Sequence, residues 1–288
     1  MATAWELGDL HEAALRDGVV TYYERGSGDP LLFVHGLLYN ADLWRNVVPE
    51  LSAGHRCIVP DWPLGSHHPA MGRNADLSLE GLARLVVDFM DHLALPRVTL
   101  VGNDTGGAIC QIVAGRHPER VERLILTNCE AFENFLPKAL RPMQWFARVP
   151  GSIRLGAQVL RFRGVQRATL LPFAKTAIAQ SVVDGAFRPA RSDAGVRRDL
   201  RKVLVGITQQ ATADAATRLP RFTGPALIAW AEEDRLFPAE HADRLAEILP
   251  DARVVRIPNS FSFIPEDQPS LFTYTVEAFL RQHPAAAA

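Results

Sequence analysis

Val98-Thr99-Leu100-Val101-Gly102-Asn103-Asp104-Thr105-Gly106-Gly107 is the stretch whose reading decides the fold. A β-branched apolar run ends at a glycine, a turn carries one acidic residue at its apex, and two further glycines open a helical pattern. Glycines at 102 and 106 let the backbone turn sharply without a Cβ clash, so the residue between them projects above the sheet at a helix N-terminus. That residue is Asp104, where an elbow of this kind commonly carries serine. An aspartate before a helix also serves as an ordinary N-cap, so its chemistry has to be argued from the surrounding chain.

Outward from the elbow, short β-branched runs alternate with helical patterns, as in a parallel sheet covered by helices on both faces. The expected strands are 31–34, 57–60, 98–101, 124–126, 226–230 and 254–257. They are preceded by an antiparallel pair, 13–16 and 19–23, around an Asp17-Gly18 turn. Helical periodicity covers 41–51, 79–95, 106–117, 239–249 and 269–281. The alternation stops between about 132 and 219, where patterns rich in Arg, Leu and Ala run without a convincing strand. This predicts a helical cap at 132–219, inserted between the sixth and seventh strands of a core built from 1–131 and 220–288. Phe135, Trp145, Phe146, Phe162, Phe173 and Phe187 are the cap's candidates to line a pocket, with plain core as the alternative reading.

At 288 residues, 48% hydrophobic and 22% charged, the chain is neither disordered nor fibrous. A formal net charge of -1, with basic residues spread over both ends, carries no electrostatic footprint for nucleic acid. Without an apolar run near 18 residues, or a basic and apolar leader pattern in 1–18, a cytoplasmic protein is expected. Cys57, Cys110 and Cys129 are widely spaced, with no zinc-like partners, and read as buried thiols. The alanine tail 285–288 reads as flexible. The expected partner is a neutral small-molecule substrate, with no nucleic acid, no membrane, no cofactor and no metal; a homodimer is left open.

His35-Gly36, after an apolar strand and before a helix, resembles the oxyanion loop of the α/β-hydrolase superfamily, and Leu43-Trp44-Arg45-Asn46 resembles its continuation in haloalkane dehalogenases. Gly102-Asn103-Asp104-Thr105-Gly106-Gly107-Ala108 is similar to the elbow of the haloalkane dehalogenase and epoxide hydrolase branch, which also uses aspartate. Trp230-Ala231-Glu232-Glu233-Asp234-Arg235-Leu236-Phe237-Pro238 resembles the acid loop after strand seven. The resemblance implies an α/β-hydrolase fold, a mostly parallel eight-stranded sheet with an inserted helical cap, and a hydrolase-type enzyme. It implies Asp104 as nucleophile, Asp234 as acid, backbone N–H groups of Leu37 and Thr105 as oxyanion hole, and His35, Asn103, Asn128 and Tyr39 as pocket or supporting residues.

By the superfamily's order a histidine should follow strand eight, yet in Ile257-Pro258-Asn259-Ser260-Phe261-Ser262-Phe263-Ile264-Pro265 that place holds Ser262. In the aspartate branch the carboxylate attacks carbon, and a histidine activates the water that hydrolyses the resulting ester. A serine hydroxyl does not titrate near neutrality, and loss of a triad member costs roughly 10⁴ to 10⁶ in turnover. His67 and His68, in the loop after strand four, read either as solvated loop residues or as a stand-in base, and His35 as structural. Thr105 and Leu37 stand where the dehalogenases keep halide-binding side chains, and Tyr22, Tyr23, Tyr39 and Tyr274 all lie outside the cap, which disfavours dehalogenation and epoxide opening. Three readings follow: a covalent Asp104 hydrolase, a cofactor-independent lyase, isomerase or cyclase in which Asp104 moves a proton, and a non-catalytic binding protein.

Overall fold

The elbow strand runs through the middle of an eight-stranded sheet in the computed structural model, which describes residues 4–285. The strands are β1 (Asp9–Leu15), β2 (Gly18–Arg25), β3 (Pro30–Val34), β4 (Arg56–Pro60), β5 (Val98–Gly102), β6 (Val121–Leu126), β7 (Ala226–Ala231) and β8 (Ala252–Ile257). Their spatial order is β1-β2-β4-β3-β5-β6-β7-β8. The β1–β2 and β2–β4 pairings are antiparallel and the others parallel. The strand after β3 lies on one side of it and β5 on the other, so the loops leaving β3 and β5 diverge and open a crevice at their carboxyl ends.

Every residue of β5 and β7 is buried, because helices cover both faces of the sheet and no polar alternation is needed. Leu32, Leu100 and Leu124 pack with the helices Leu79–His92 and Thr105–Arg116. Their strand neighbours Leu31, Val101 and Ile125 pack into the opposite layer with Trp44 and the helix Pro269–Gln282. Cys57, Cys110 and Cys129 are free and buried, as expected.

Two expectations shift. The hairpin turns at Arg16-Asp17, one residue early, because Gly18, with φ at 144°, already pairs with Leu15. The expected helix 41–51 is two short pieces, a 3-10 turn Ala41–Trp44 capped by Asn40 and a helix Val48–Leu51. β-Branched Val47 and Val48 and the missing N–H of Pro49 prevent a continuous helix. Of the tail read as flexible, 286–288 lie outside the described residues.

Between β6 and β7 the described chain forms six helices and no strand: Arg141–Arg148, Ser152–Val159, Arg163–Leu170, Gln180–Ser192, Ala194–Gly206 and Gln209–Arg218. The last packs on Thr105–Arg116 and so covers the sheet face. Among the aromatics expected at a pocket, Phe173 and Phe187 line the cavity above the elbow and Phe135 is buried core. Trp145, Phe146 and Phe162 are instead 78%, 64% and 60% exposed, on outward faces of short amphipathic segments.

The chain after β8 is anchored by a buried ion pair. Glu266 accepts from Arg45 Nη1 and, at 2.6 Å, from Nη2, with Tyr39 Oη at 3.1 Å and Asn46 Nδ2 at 3.3 Å. Removing one partner of such a pair strands a buried charge. Arg45→Met is expected to cost about 3–5 kcal/mol in urea denaturation, and the double variant Arg45→Met/Glu266→Met clearly less.

Candidate active site

Asp104 sits at the apex between β5 and the helix Thr105–Arg116, with φ 54° and ψ −133°, a backbone conformation held only where surroundings enforce it. Its N–H donates to Asn128 O at 2.9 Å, and Asn103 N–H to Val34 O at 3.1 Å, which ties the turn to both neighbouring strands. Two glycines permit the approach. A Cβ on Gly36 would fall 2.5 Å from Asp104 Cβ, and one on Gly106 would fall 2.1 Å from Val34 O.

The Asp104 side chain is 3% exposed. Oδ1 accepts from Thr105 N at 2.5 Å and from Thr105 Oγ1 at 2.9 Å, and the Leu37 N–H also donates to the carboxylate. Leu37 and Thr105 therefore do converge, and they converge on the carboxylate itself. Burial pushes its pKa up to about 6 against the pull of these donors, with the charge of Asp234 adding to the rise.

Asp234 follows β7, where its Oδ1 accepts from Leu236 N at 2.6 Å and Phe237 N at 2.8 Å. Its other oxygen accepts from Ser262 Oγ at 2.7 Å, so the fold does bring these two residues together. Burial raises the Asp234 pKa, opposed by the donors of Phe237 and Ser262. Asn103 Nδ2 donates to Thr127 Oγ1 and to Ser262 O, both at 2.8 Å, linking the loops after β5, β6 and β8. Asn128 Oδ1 accepts from Ala231 N at 2.7 Å.

The histidines lie elsewhere. His35 Nε2 accepts from Trp62 N at 2.9 Å and Nδ1 donates to Gly36 O at 2.9 Å, which fixes the loop, and burial lowers its pKa to about 4. His67 is buried, not solvated, with Nε2 3.3 Å from Asp199 Oδ2 on the helix Ala194–Gly206. His68 is exposed beside Asp193 at 3.9 Å. Neither reaches Asp104 among the described residues. Tyr39 does line the Asp104 cavity, but its hydroxyl is committed to Glu266.

One residue escaped the sequence reading. Glu130, just past β6, is fully buried, with Oε1 3.4 Å from Thr105 Oγ1 and Oε2 without a partner among the described residues. Burial, and then the nearby charge of Asp104, push its carboxyl well above the usual range. Glu130, Thr105 and Asp104 thus form a chain of acid, hydroxyl and carboxylate. The available signal was an ionisable residue in the otherwise uncharged run 124–131, two places after Asn128.

Asp104 opens into a cavity of about 470 Å³ whose walls include Leu37, Tyr39, Leu140, Phe173, Phe187 and Phe263. Asp104 thus sits at a strained turn beside a largely apolar chamber, on the carboxyl edge of a mostly parallel sheet. Residues 29–269 fit the model of the alpha/beta hydrolase fold. The chain belongs to the α/β hydrolase family. It is 30% identical over 257 residues to haloalkane dehalogenase 2 of Mycobacterium tuberculosis, covering 88% of each chain. It is 28% identical over 259 residues to a cis-3-alkyl-4-alkyloxetan-2-one decarboxylase of Shewanella oneidensis, covering 85% of this chain and 80% of that one. The solved haloalkane dehalogenase DbeA from Bradyrhizobium elkani superposes with a TM-score of 0.80 at 21% identity, covering 97% of this α/β hydrolase and 99% of DbeA.

The buried carboxylate makes a stability prediction with a definite sign. Folded Asp104 holds its proton up to about pH 6 and the free side chain only to 3.8, so the stability present below pH 3.8 is lost as pH rises through 6. Asp104→Asn, which cannot ionise, is expected to exceed the parent in urea denaturation at pH 8 by up to about 3 kcal/mol, and to match it near pH 4.

Proposed function

We propose that this α/β hydrolase acts on a small, largely apolar organic substrate through the Asp104 carboxylate, which attacks carbon to form a covalent ester. The observation that carries this reading is a buried carboxylate lining a largely apolar chamber, with Oδ1 held by both Thr105 donors, so that the attack is assigned to Oδ2. Oδ2 forms a bond to the substrate carbon as the bond to the leaving group breaks, and the electron pair departs with that group. Water then cleaves the ester, releasing an alcohol and a proton and restoring the carboxylate. The helices before Gln209–Arg218 act as the cap that excludes bulk water. Backbone N–H groups of Leu37 and Thr105 hold charge on the carboxylate through both steps. No cofactor takes part.

Hydrolysis is the slow step on this reading. Ser262 donates to Asp234 Oδ2, and a hydroxyl cannot collect a proton near neutrality. The ester therefore accumulates. The Thr105 hydroxyl is turned to Asp104 and Glu130 and offers no indole-like halide donor, which favours substrates whose leaving group needs none.

A second reading has its own support: Asp104, with a pKa near 6 and the Glu130 carboxyl, its pKa raised by burial, one hydroxyl away, suits a proton carrier in a lyase, isomerase or cyclase. The similarity to a protein named as a decarboxylase is in keeping with it.

Intact-protein mass spectrometry after incubation with alkyl halides, epoxides and activated esters separates the two. A persistent adduct, absent from Asp104→Asn, is expected, forming faster as pH rises through about 6 because the carboxylate is the nucleophile. A lack of any adduct, with substrate proton exchange that falls above that pH and disappears in Asp104→Asn, would replace the covalent reading by the second. Thr105→Val removes one donor from the ionised form and is expected to move the midpoint of the rate profile upward, measured with the same reagents.

A further inference from the structure

The helical insertion carries a surface that the chemistry of Asp104 does not use. From residue 134 to 183 there is no Asp or Glu, while six arginines and two lysines fall in the same 50 residues. Lys175 pairs with Glu233, and the arginines of this stretch form no ion pair among the described residues. Between these cations the helices Arg141–Arg148 and Ser152–Val159 and the turn after them expose large apolar side chains: Trp145 at 78%, Leu155 at 69%, Phe146 at 64% and Phe162 at 60%. Isolated exposed apolar residues are ordinary, but a cluster of this kind marks a contact surface.

A cleft of about 650 Å³ adjoins the cluster, edged by Arg161, Arg163, Arg188 and Arg191. The one carboxylate in its wall, Asp184, accepts from Gln166 and Gln180, each at 3.2 Å, and four guanidinium groups outnumber its single negative charge. An apolar cavity of about 420 Å³ runs beneath Phe146 and Leu155 and shares Leu38, Met143 and Thr169 with the Asp104 cavity.

We propose that this face of the insertion docks on an anionic lipid bilayer, with Trp145, Phe146, Leu155 and Phe162 entering the boundary between headgroups and acyl chains and the arginine cleft receiving lipid phosphates. Short helices with arginines around an apolar face bind in this way, through buried apolar area and attraction to anionic headgroups together. No helix among the described residues is long and apolar enough to cross a membrane, so the contact is peripheral. The expectation of no membrane partner went with the lack of an apolar run near 18 residues, which bears on spanning a bilayer and not on a basic, aromatic face lying against one. The shared wall of the two cavities then places an apolar route from the lipid-facing side toward Asp104. Docking is independent of the covalent chemistry, and Asp104→Asn binds as the parent does.

Cosedimentation of the full chain with vesicles tests the proposal. Binding is expected to phosphatidylglycerol-containing vesicles and not to phosphatidylcholine alone, and added salt weakens it. Arg154→Gln/Arg161→Gln, with folding checked by thermal melting, lowers partitioning roughly 30-fold, at about 1 kcal/mol per basic residue near an anionic surface. Trp145→Ser lowers it as well. The proposal is overturned by failure to bind phosphatidylglycerol vesicles at low salt, or by binding that both variants leave unchanged. It is equally overturned by a dimer that Trp145→Ser converts to monomer while vesicles stay unbound, since a second copy would then cover the face.

Discussion

The site depends on one close approach, the packing of the Asp104 side chain against the bare backbone of Gly36 where the loops after β3 and β5 part. Only a residue without Cβ fits there, and a second glycine at 106 lets the following helix start directly under the carbonyls of Val34 and His35. Because the turn is pinned by backbone hydrogen bonds to β3 and to Asn128, the carboxylate has a single place to go. It lies in reach of the Leu37 and Thr105 N–H groups and is almost fully buried.

That burial sets the electrostatics of everything nearby. Three carboxylates, Asp104, Glu130 and Asp234, are buried at the ends of adjacent strands, and each has its pKa raised first of all by loss of hydration. They differ in what compensates them. Asp234 has two backbone donors and a serine, Asp104 has the elbow N–H groups and a threonine, and Glu130 has only a long contact to that same threonine. The least compensated of the three, Glu130, is pushed furthest toward the protonated form, and the pKa of Asp104 rises to about 6. Around this polar knot the chamber walls are largely apolar, with Arg235 and Thr169 among them.

The insertion has two faces of opposite use. Its inner side, through Leu140, Phe173 and Phe187, closes the Asp104 chamber. Its outer side concentrates arginines that form no ion pair among the described residues and exposed aromatic rings, and the cavities on the two sides share Leu38, Met143 and Thr169.

The sequence by itself was enough for the elements whose pattern is local. Glycines around Asp104 announced the elbow, unbroken apolar runs announced β5 and β7, and the lapse of alternation after residue 132 announced the helical insertion. It also named Asp234 and Ser262, which the fold sets 2.7 Å apart. Only tertiary structure decided which way side chains turn and what they meet. It buried His67 against Asp199 instead of leaving it in solvent, turned Trp145 and Phe162 outward, and set Glu130 behind Thr105. The reason is physical: backbone preference and hydrophobic period are written in neighbouring residues, whereas burial, hydrogen-bond partners and shifted pKa values come from groups distant in the chain that packing alone brings together.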